Sequence, residues 1–237
     1  MPINTNFRTE ESEIMDNFEL EGTELQEALD KIAKINQLLG GNKLTLQGIE
    51  RLLHEINKQV QITIVDVGCG NGDMLRFIAK YGFENGYNFN LIGIDANLFT
   101  INHAKKLSKD FPNIAYLVED IFDDKFQSMS YDIVLCTLTL HHFKDKEILN
   151  LVSSFYKNAK IGVVINDLQR SKLAYRLFQV VCKLFNLNRM SREDGLVSIL
   201  RGFKKRELIA FSNHLNLKNY SLNWKWAFRY QWIIIKE

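Results

Sequence analysis

The sequence predicts an α/β protein built on a doubly wound, seven-stranded, mostly parallel sheet with an antiparallel C-terminal strand. Three observations carry that reading. Between residues 61 and 165, short β-branched or apolar runs alternate with helical stretches, the pattern of a parallel sheet covered on both faces. A glycine-rich turn, Gly68-Cys69-Gly70-Asn71-Gly72, closes the first run and opens a helix. Two strand-like runs at 219–227 and 229–235 have almost no loop between them, a connection that only an antiparallel pair can make.

Taken in order, residues 1–22 are polar and acidic without a clear period and read as irregular. From Thr23, Leu25, Leu29, Ile32, Ile35 and Leu39 recur at helical spacing. Thr23 with Gln26 reads as a capping box, and Gly40-Gly41 as a stop. A second helix from about Thr45 places Leu46, Ile49, Leu52, Leu53 and Ile56 on one face. These helices form an N-terminal cap, residues 1–59, ahead of a domain at 60–237. Within that domain the strands are expected at 62–67, 91–94, 115–118, 133–137 and 161–165, with helices at 73–80, 97–109 and 145–158 between them. Right-handed crossovers make such a sheet doubly wound. An apolar helix at 172–187, a polar break at 188–195 containing Gly195, and a helix at 204–215 follow. Residues 170–203 read as a lid insertion.

Composition narrows the function. Of 237 residues, 46% are hydrophobic and 24% charged, the balance of an ordinary globular chain. A formal charge of +2 argues against a general nucleic-acid binder. Cys69, Cys136 and Cys182 are too scattered for a disulfide framework or a metal site, which makes a reducing, cytoplasmic setting the expectation. No secretory signal and no apolar run of about 18 residues is visible. Charge is uneven: residues 9–30 hold nine acidic and no basic side chains, residues 170–206 ten basic and two acidic. Such runs are solvated faces, or the two segments dock on each other. The basic, apolar helix 172–187 is expected to pack as core or lid, with contact to a membrane surface or a lipid-tailed substrate as the alternative.

The chemistry sits at the strand ends. In Val65-Asp66-Val67-Gly68-Cys69-Gly70-Asn71-Gly72-Asp73, glycines let the backbone turn sharply and approach a ligand, and the free N–H groups of the following helix favour an anionic group. The spacing is GxGxG, unlike the GxGxxG of dinucleotide folds. Asp95 ends the second strand, where a carboxylate can accept both hydroxyls of a ribose. Asp120 and Ile121 follow the third, placed to meet an adenine amino group and ring face. The fourth runs into Thr137-Leu138-Thr139-Leu140-His141-His142-Phe143, and Asn166-Asp167 end the fifth. Asp95 and Asp120 also suit helix caps. His54, His103 and His214 read as surface residues without acidic partners, Cys182 as a small core residue. Phe178, Phe185, Trp224, Trp226, Phe228 and Trp232 read as core, some as acceptor-pocket lining.

The series VDVGCGNGD, GIDAN, VEDIF and YDIVLCTLTLHHF resembles the class I S-adenosylmethionine-dependent methyltransferases over about residues 60–165. The resemblance implies that Asp66, Gly68, Cys69 (through its backbone), Gly70 and Gly72 hold the methionine part of S-adenosylmethionine. It assigns Asp95 with Ala96 to the ribose, Asp120 and Ile121 to the adenine, and Thr137 and Leu138 to the rim beside the sulfonium. The HHF ending resembles small-molecule enzymes, including those of ubiquinone and menaquinone biosynthesis. The N-terminal segment and SREDGLVSILRGFKKREL resemble methyltransferases associated with type III polyketide synthases. A small-molecule acceptor with a phenolic or polyketide-like hydroxyl is then expected, without nucleic acid, and with no metal. His141 or His142 is the expected base and Asp167 its support, since a phenol must lose its proton to attack. If the strand continued through both histidines, only one would face the cleft. Competing readings are methylation of RNA or protein, C-methylation of a quinol, a NAD-type oxidoreductase, and a non-catalytic cofactor-binding module. The sequence leaves oligomeric state open.

Overall fold

Along β1 (Gln61–Val67), neighbouring apolar side chains leave the strand in opposite directions, and each direction meets a helical layer. In the computed structural model, which describes residues 3–236, Val65 and Val67 join one core and Ile64 joins the other. Met1, Pro2 and Glu237, the outer ends of the two predicted segments, lie outside the described residues. The remaining strands are β2 (Asn88–Asp95), β3 (Ile114–Val118), β4 (Tyr131–Thr137), β5 (Ala159–Leu168), β6 (Tyr220–Lys225) and β7 (Arg229–Ile235). They form one sheet in the order β3-β2-β1-β4-β5-β7-β6. β7 is antiparallel to both neighbours, and the pairs from β3 to β5 are parallel.

The helices are α1 (Thr23–Leu38), α2 (Gly41–Leu52), α3 (Asp73–Asn85), α4 (Leu98–Leu107), the short α5 (Asp124–Gln127), α6 (Asp145–Asn158), α7 (Lys172–Leu184), α8 (Arg189–Arg201) and α9 (Lys205–His214). On one face, Ile148, Leu151 and Phe155 of α6 and Leu208 of α9 pack over Val134, Ile165 and Trp232. On the other, Ile49 of α2, Leu75 and Ile78 of α3 and Ile101 of α4 pack over Leu91, Ile133 and Val164. Each fully buried side chain of this size contributes about 1.5–3 kcal/mol.

Several local expectations change. α2 begins at Gly41, not Thr45, and lies in the helical layer of the sheet: a Cβ on Gly48 would meet Val164 at 2.6 Å. The Thr23–Gln26 capping box does not form; Gly22 is the N-cap, and its carbonyl accepts from the Gln26 N–H. Residues 188–195 are not a break, because α8 runs through them and tolerates Gly195, whose missing side chain admits the Phe178 ring. His103 is buried, with Nε2 2.8 Å from Asp30. The N-terminal segment holds a 3-10 turn at Ile14–Asp16 and is anchored along its length. Arg170, fully buried, donates to the carbonyls of Thr5 and Gly202 and pairs with Glu207. Arg8 donates to the carbonyls of Arg201, His141 and Phe143. Within the acidic segment, Glu13 accepts from Ser198 and Asp16 pairs with Arg201, so the acidic and basic segments dock.

Candidate active site

The loop after β1 turns through Gly68, Gly70 and Gly72 at φ +66, +52 and +76, the left-handed region that only glycine enters without steric cost. Two of these positions are also closed to a side chain. A Cβ on Gly68 would meet Thr139 at 2.4 Å, and one on Gly72 the Tyr116 hydroxyl at 2.0 Å. Gly70 differs, since a Cβ there would meet only Leu29 at 3.8 Å, so its backbone borders open space. Asp95 locks the loop to the β2 tip: it accepts from the Gly70 N–H at 3.2 Å and the Asn97 N–H at 3.0 Å. The cap of α4 is Asn97, which accepts from Thr100, so Asp95 is free of that role. Asp120 accepts from the Phe122 N–H, while Asp123 caps α5.

These groups surround a cavity of about 520 Å³ at the carboxyl ends of the strands, where open α/β sheets bind ligands. Asp66, Gly68, Cys69, Gly70, Asp95, Ala96, Asp120, Ile121, Thr137 and Leu138 all line it. Gly72 does not line it; it caps α3 instead. Asp66 is buried and its Oδ1 has no partner within the chain. Burial, with Asp73 and Asp95 nearby, pushes its carboxyl well above the usual range. Phe18, Phe122 and Phe143 supply the aromatic lining; of the C-terminal aromatics read as core with some as lining, none lines the cavity, Trp232 is core, and Phe185, Trp224 and Trp226 are exposed.

Residues 140–142 form a 3-10 turn rather than continuing the strand, and the two histidines separate. His141 is buried, with its Nδ1 2.7 Å from Asp167 Oδ1 and its backbone N–H donating to Asp167 Oδ2. Its Nε2 lies 3.5 Å from Glu13. Burial disfavours the imidazolium, yet Asp167 and Glu13 outweigh it and hold the pKa at about 9, above the usual 6.5. This pair therefore stabilises the fold fully below about pH 6.5 and loses that contribution as pH rises through about 9. Thermal melts of the protein and of Asp167→Asn should converge across that window.

His142 lines the cavity, and its Nδ1 sits 2.7 Å from Asp16 Oδ1. Asp16 is held in turn by Arg201 at 2.6 Å and lies well below the usual carboxylate range; burial opposes this, but His142 and Arg201 prevail. The sequence pattern singled out neither Glu13 nor Asp16. Its one signal for them was the acidic excess facing a basic segment. Glu13, His141 and His142 offer atoms within 4.8 Å of one another, a spacing that a cation can take. Here the His142 nitrogen is already engaged by Asp16, and Arg201 lies 3.7 Å from Glu13, so protons and a guanidinium hold the cluster together.

Residues 64–162 match the family model described as a methyltransferase domain. Fold, glycine loop and that match together mark residues 64–162 as a methyltransferase domain. Among curated proteins, a ubiquinone biosynthesis O-methyltransferase from Rickettsia felis is 30% identical over 141 residues, 57% of this chain and 53% of that protein. The chain thus spans about half the length of the curated relatives it matches. Among solved structures, the plantazolicin methyltransferase BpumL with S-adenosylhomocysteine covers 88% of this chain and 89% of its own at a TM-score of 0.67 and 15% identity. The magnesium protoporphyrin IX methyltransferase of Synechocystis PCC 6803, with S-adenosylmethionine, covers 86% and 84% at a TM-score of 0.56 and 12% identity. No helix among the described residues is long and apolar enough to cross a membrane.

Proposed function

We propose that this chain transfers the methyl group of S-adenosylmethionine to a hydroxyl of a small aromatic or polyketide-like molecule, with His142 as base. The observation that carries the reading is His142 bordering the same cavity as the glycine loop while Asp16 holds its Nδ1. An aspartate on Nδ1–H fixes the tautomer and stabilises the imidazolium, leaving Nε2 to take the acceptor proton. When bound, S-adenosylmethionine would supply an activated methyl group, the oxygen–carbon bond forming as the sulfur–carbon bond breaks to leave a neutral thioether. The residues fit the cofactor. Asp66 Oδ1 is an unpartnered buried acceptor at the cavity, suited to a cationic amino group; Asp95 suits the ribose hydroxyls, and Asp120 with Ile121 the adenine. Asp167 supports the reaction at one remove, by fixing the turn that aims His142.

Leu25, Leu29 and Ile32 of α1 and Met15 and Phe18 of the N-terminal segment wall the cavity, which favours a small acceptor over a macromolecule. In this reading the N-terminal segment and α1 cover the acceptor side, residues 170–203 hold that cover in place through Asp194 and Arg201, and α2, the rest of the expected 1–59 cap, belongs to the layer on the sheet. Curated relatives named as O-methyltransferases support oxygen as the methylated atom.

A panel of phenols, quinols and pyrones offered with labelled S-adenosylmethionine tests the acceptor class. Label found only in RNA or protein fractions would refute it. Cofactor binding carries its own pH signature. The cationic amino group requires Asp66 ionised, so S-adenosylhomocysteine affinity is expected to fall as pH drops through the raised Asp66 pKa. Calorimetry in buffers of different ionisation enthalpy should show proton release on binding, absent in Asp66→Asn.

A further inference from the structure

A stripe of exposed apolar residues runs along α7. Leu173, Leu177, Val180 and Leu184 are 56%, 43%, 51% and 75% exposed, and their spacing of four, three and four places them on one helix face. They are not the helix's packing face. Ala174 and Cys182 are the buried positions, and Phe178, Val181 and Cys182 pack with Ile35, Leu39 and Leu187. Contact with the rest of the fold is thus already made, and the stripe is surplus to it.

Beside the stripe, Lys172, Arg176 and Lys183 line one edge, all exposed, and α7 contains no acidic residue. At its N-terminal end the surface continues onto exposed indoles. Trp224, 48% exposed, donates through Nε1 to Gln169 at 2.8 Å, just before the Ser171 cap of α7, and Trp226 is 64% exposed. Indoles of this kind settle at the boundary between water and lipid.

We infer that α7 lies in the surface of an anionic lipid bilayer, its leucine stripe among the acyl chains and its cations at the headgroups. A length of about 16 Å along the stripe and an adjoining single-sign edge are what an in-plane amphipathic helix requires. A second copy of the chain is a poorer occupant, because stripe against stripe would bring six cations together with no acid on either helix. α7 leads directly into α8, whose Arg201 holds Asp16 beside His142, so the bilayer contact would stand on the same side of the fold as the acceptor cover.

Flotation of the full chain with phosphatidylcholine vesicles, with and without phosphatidylglycerol, tests this. The chain is expected to float with the mixed vesicles and to be released by salt. Leu177→Gln with Val180→Gln should weaken partitioning about tenfold or more. Lys172→Gln, Arg176→Gln and Lys183→Gln together should weaken it about a hundredfold. Both variants alter exposed positions and should keep the melting temperature and S-adenosylhomocysteine affinity. Failure of the unaltered chain to float would overturn the inference, as would undiminished flotation of the leucine variant. A non-floating dimer that Leu177→Gln dissociates would assign the stripe to self-association instead.

Discussion

His142→Ala is expected to lower kcat by about 10²–10⁴, the contribution of a positioned general base, with S-adenosylhomocysteine affinity nearly unchanged. The argument is geometric. His142 borders the cavity, but the groups assigned to the cofactor lie on β1, β2 and β3 and their loops and, with Thr137 and Leu138, at the end of β4, none of which the substitution removes. Asp16→Asn should cost less than His142→Ala, since it removes the orienting carboxylate but keeps the imidazole. His141→Ala separates the two histidines. It empties a buried position between Asp167 and Glu13, so its main effect should be a lower melting temperature. A His142→Ala enzyme retaining most of its kcat would end the assignment of this residue as base.

Arg170→Leu is expected to destabilise the fold by about 3–5 kcal/mol, the cost of breaking a buried, hydrogen-bonded charge pair from one side. For a chain of this size that is a fall in melting temperature of about 10 °C. Arg170 is fully buried and reaches the Thr5 and Gly202 carbonyls as well as Glu207, and leucine leaves all three acceptors without their donor. Because the same guanidinium pins residues 5 and 6, methyl transfer should fall further than cofactor affinity. A melting temperature within a few degrees of the unaltered protein would show that the strap is held elsewhere.

The sheet was legible because each central strand is apolar on both faces, which leaves few alternatives to a covered parallel sheet. The glycine loop, Asp95 and Asp120 stand at the ends of the strands that this pattern marks, around the cavity. α8 was not legible, since its buried positions include Ser191 and Asp194 beside Met190 and Ile199, and polar contacts leave no apolar period. Asp194 is there to accept the Ile14 and Met15 N–H groups at 2.7 and 3.0 Å. For the same reason Glu13 and Asp16 were invisible. Their roles depend on partners more than a hundred positions away, and no local pattern records such a meeting. A strand continuing through the two histidines would turn only one of them to the cavity; the chain tightens into a 3-10 turn instead, and one histidine still goes to the interior and one to the cavity.

Asp16 and Arg201 stand 185 positions apart, with consequences for how the molecule matures on the ribosome. Residues 66–143, which carry the groups assigned to the nucleoside, emerge together and can assemble early. Asp16 emerges before all of them, yet its guanidinium partner is among the later residues made. Long-range closures of this kind are the slow events of folding, so Asp16 waits for the guanidinium that ties it beside His142 until most of the chain has been made.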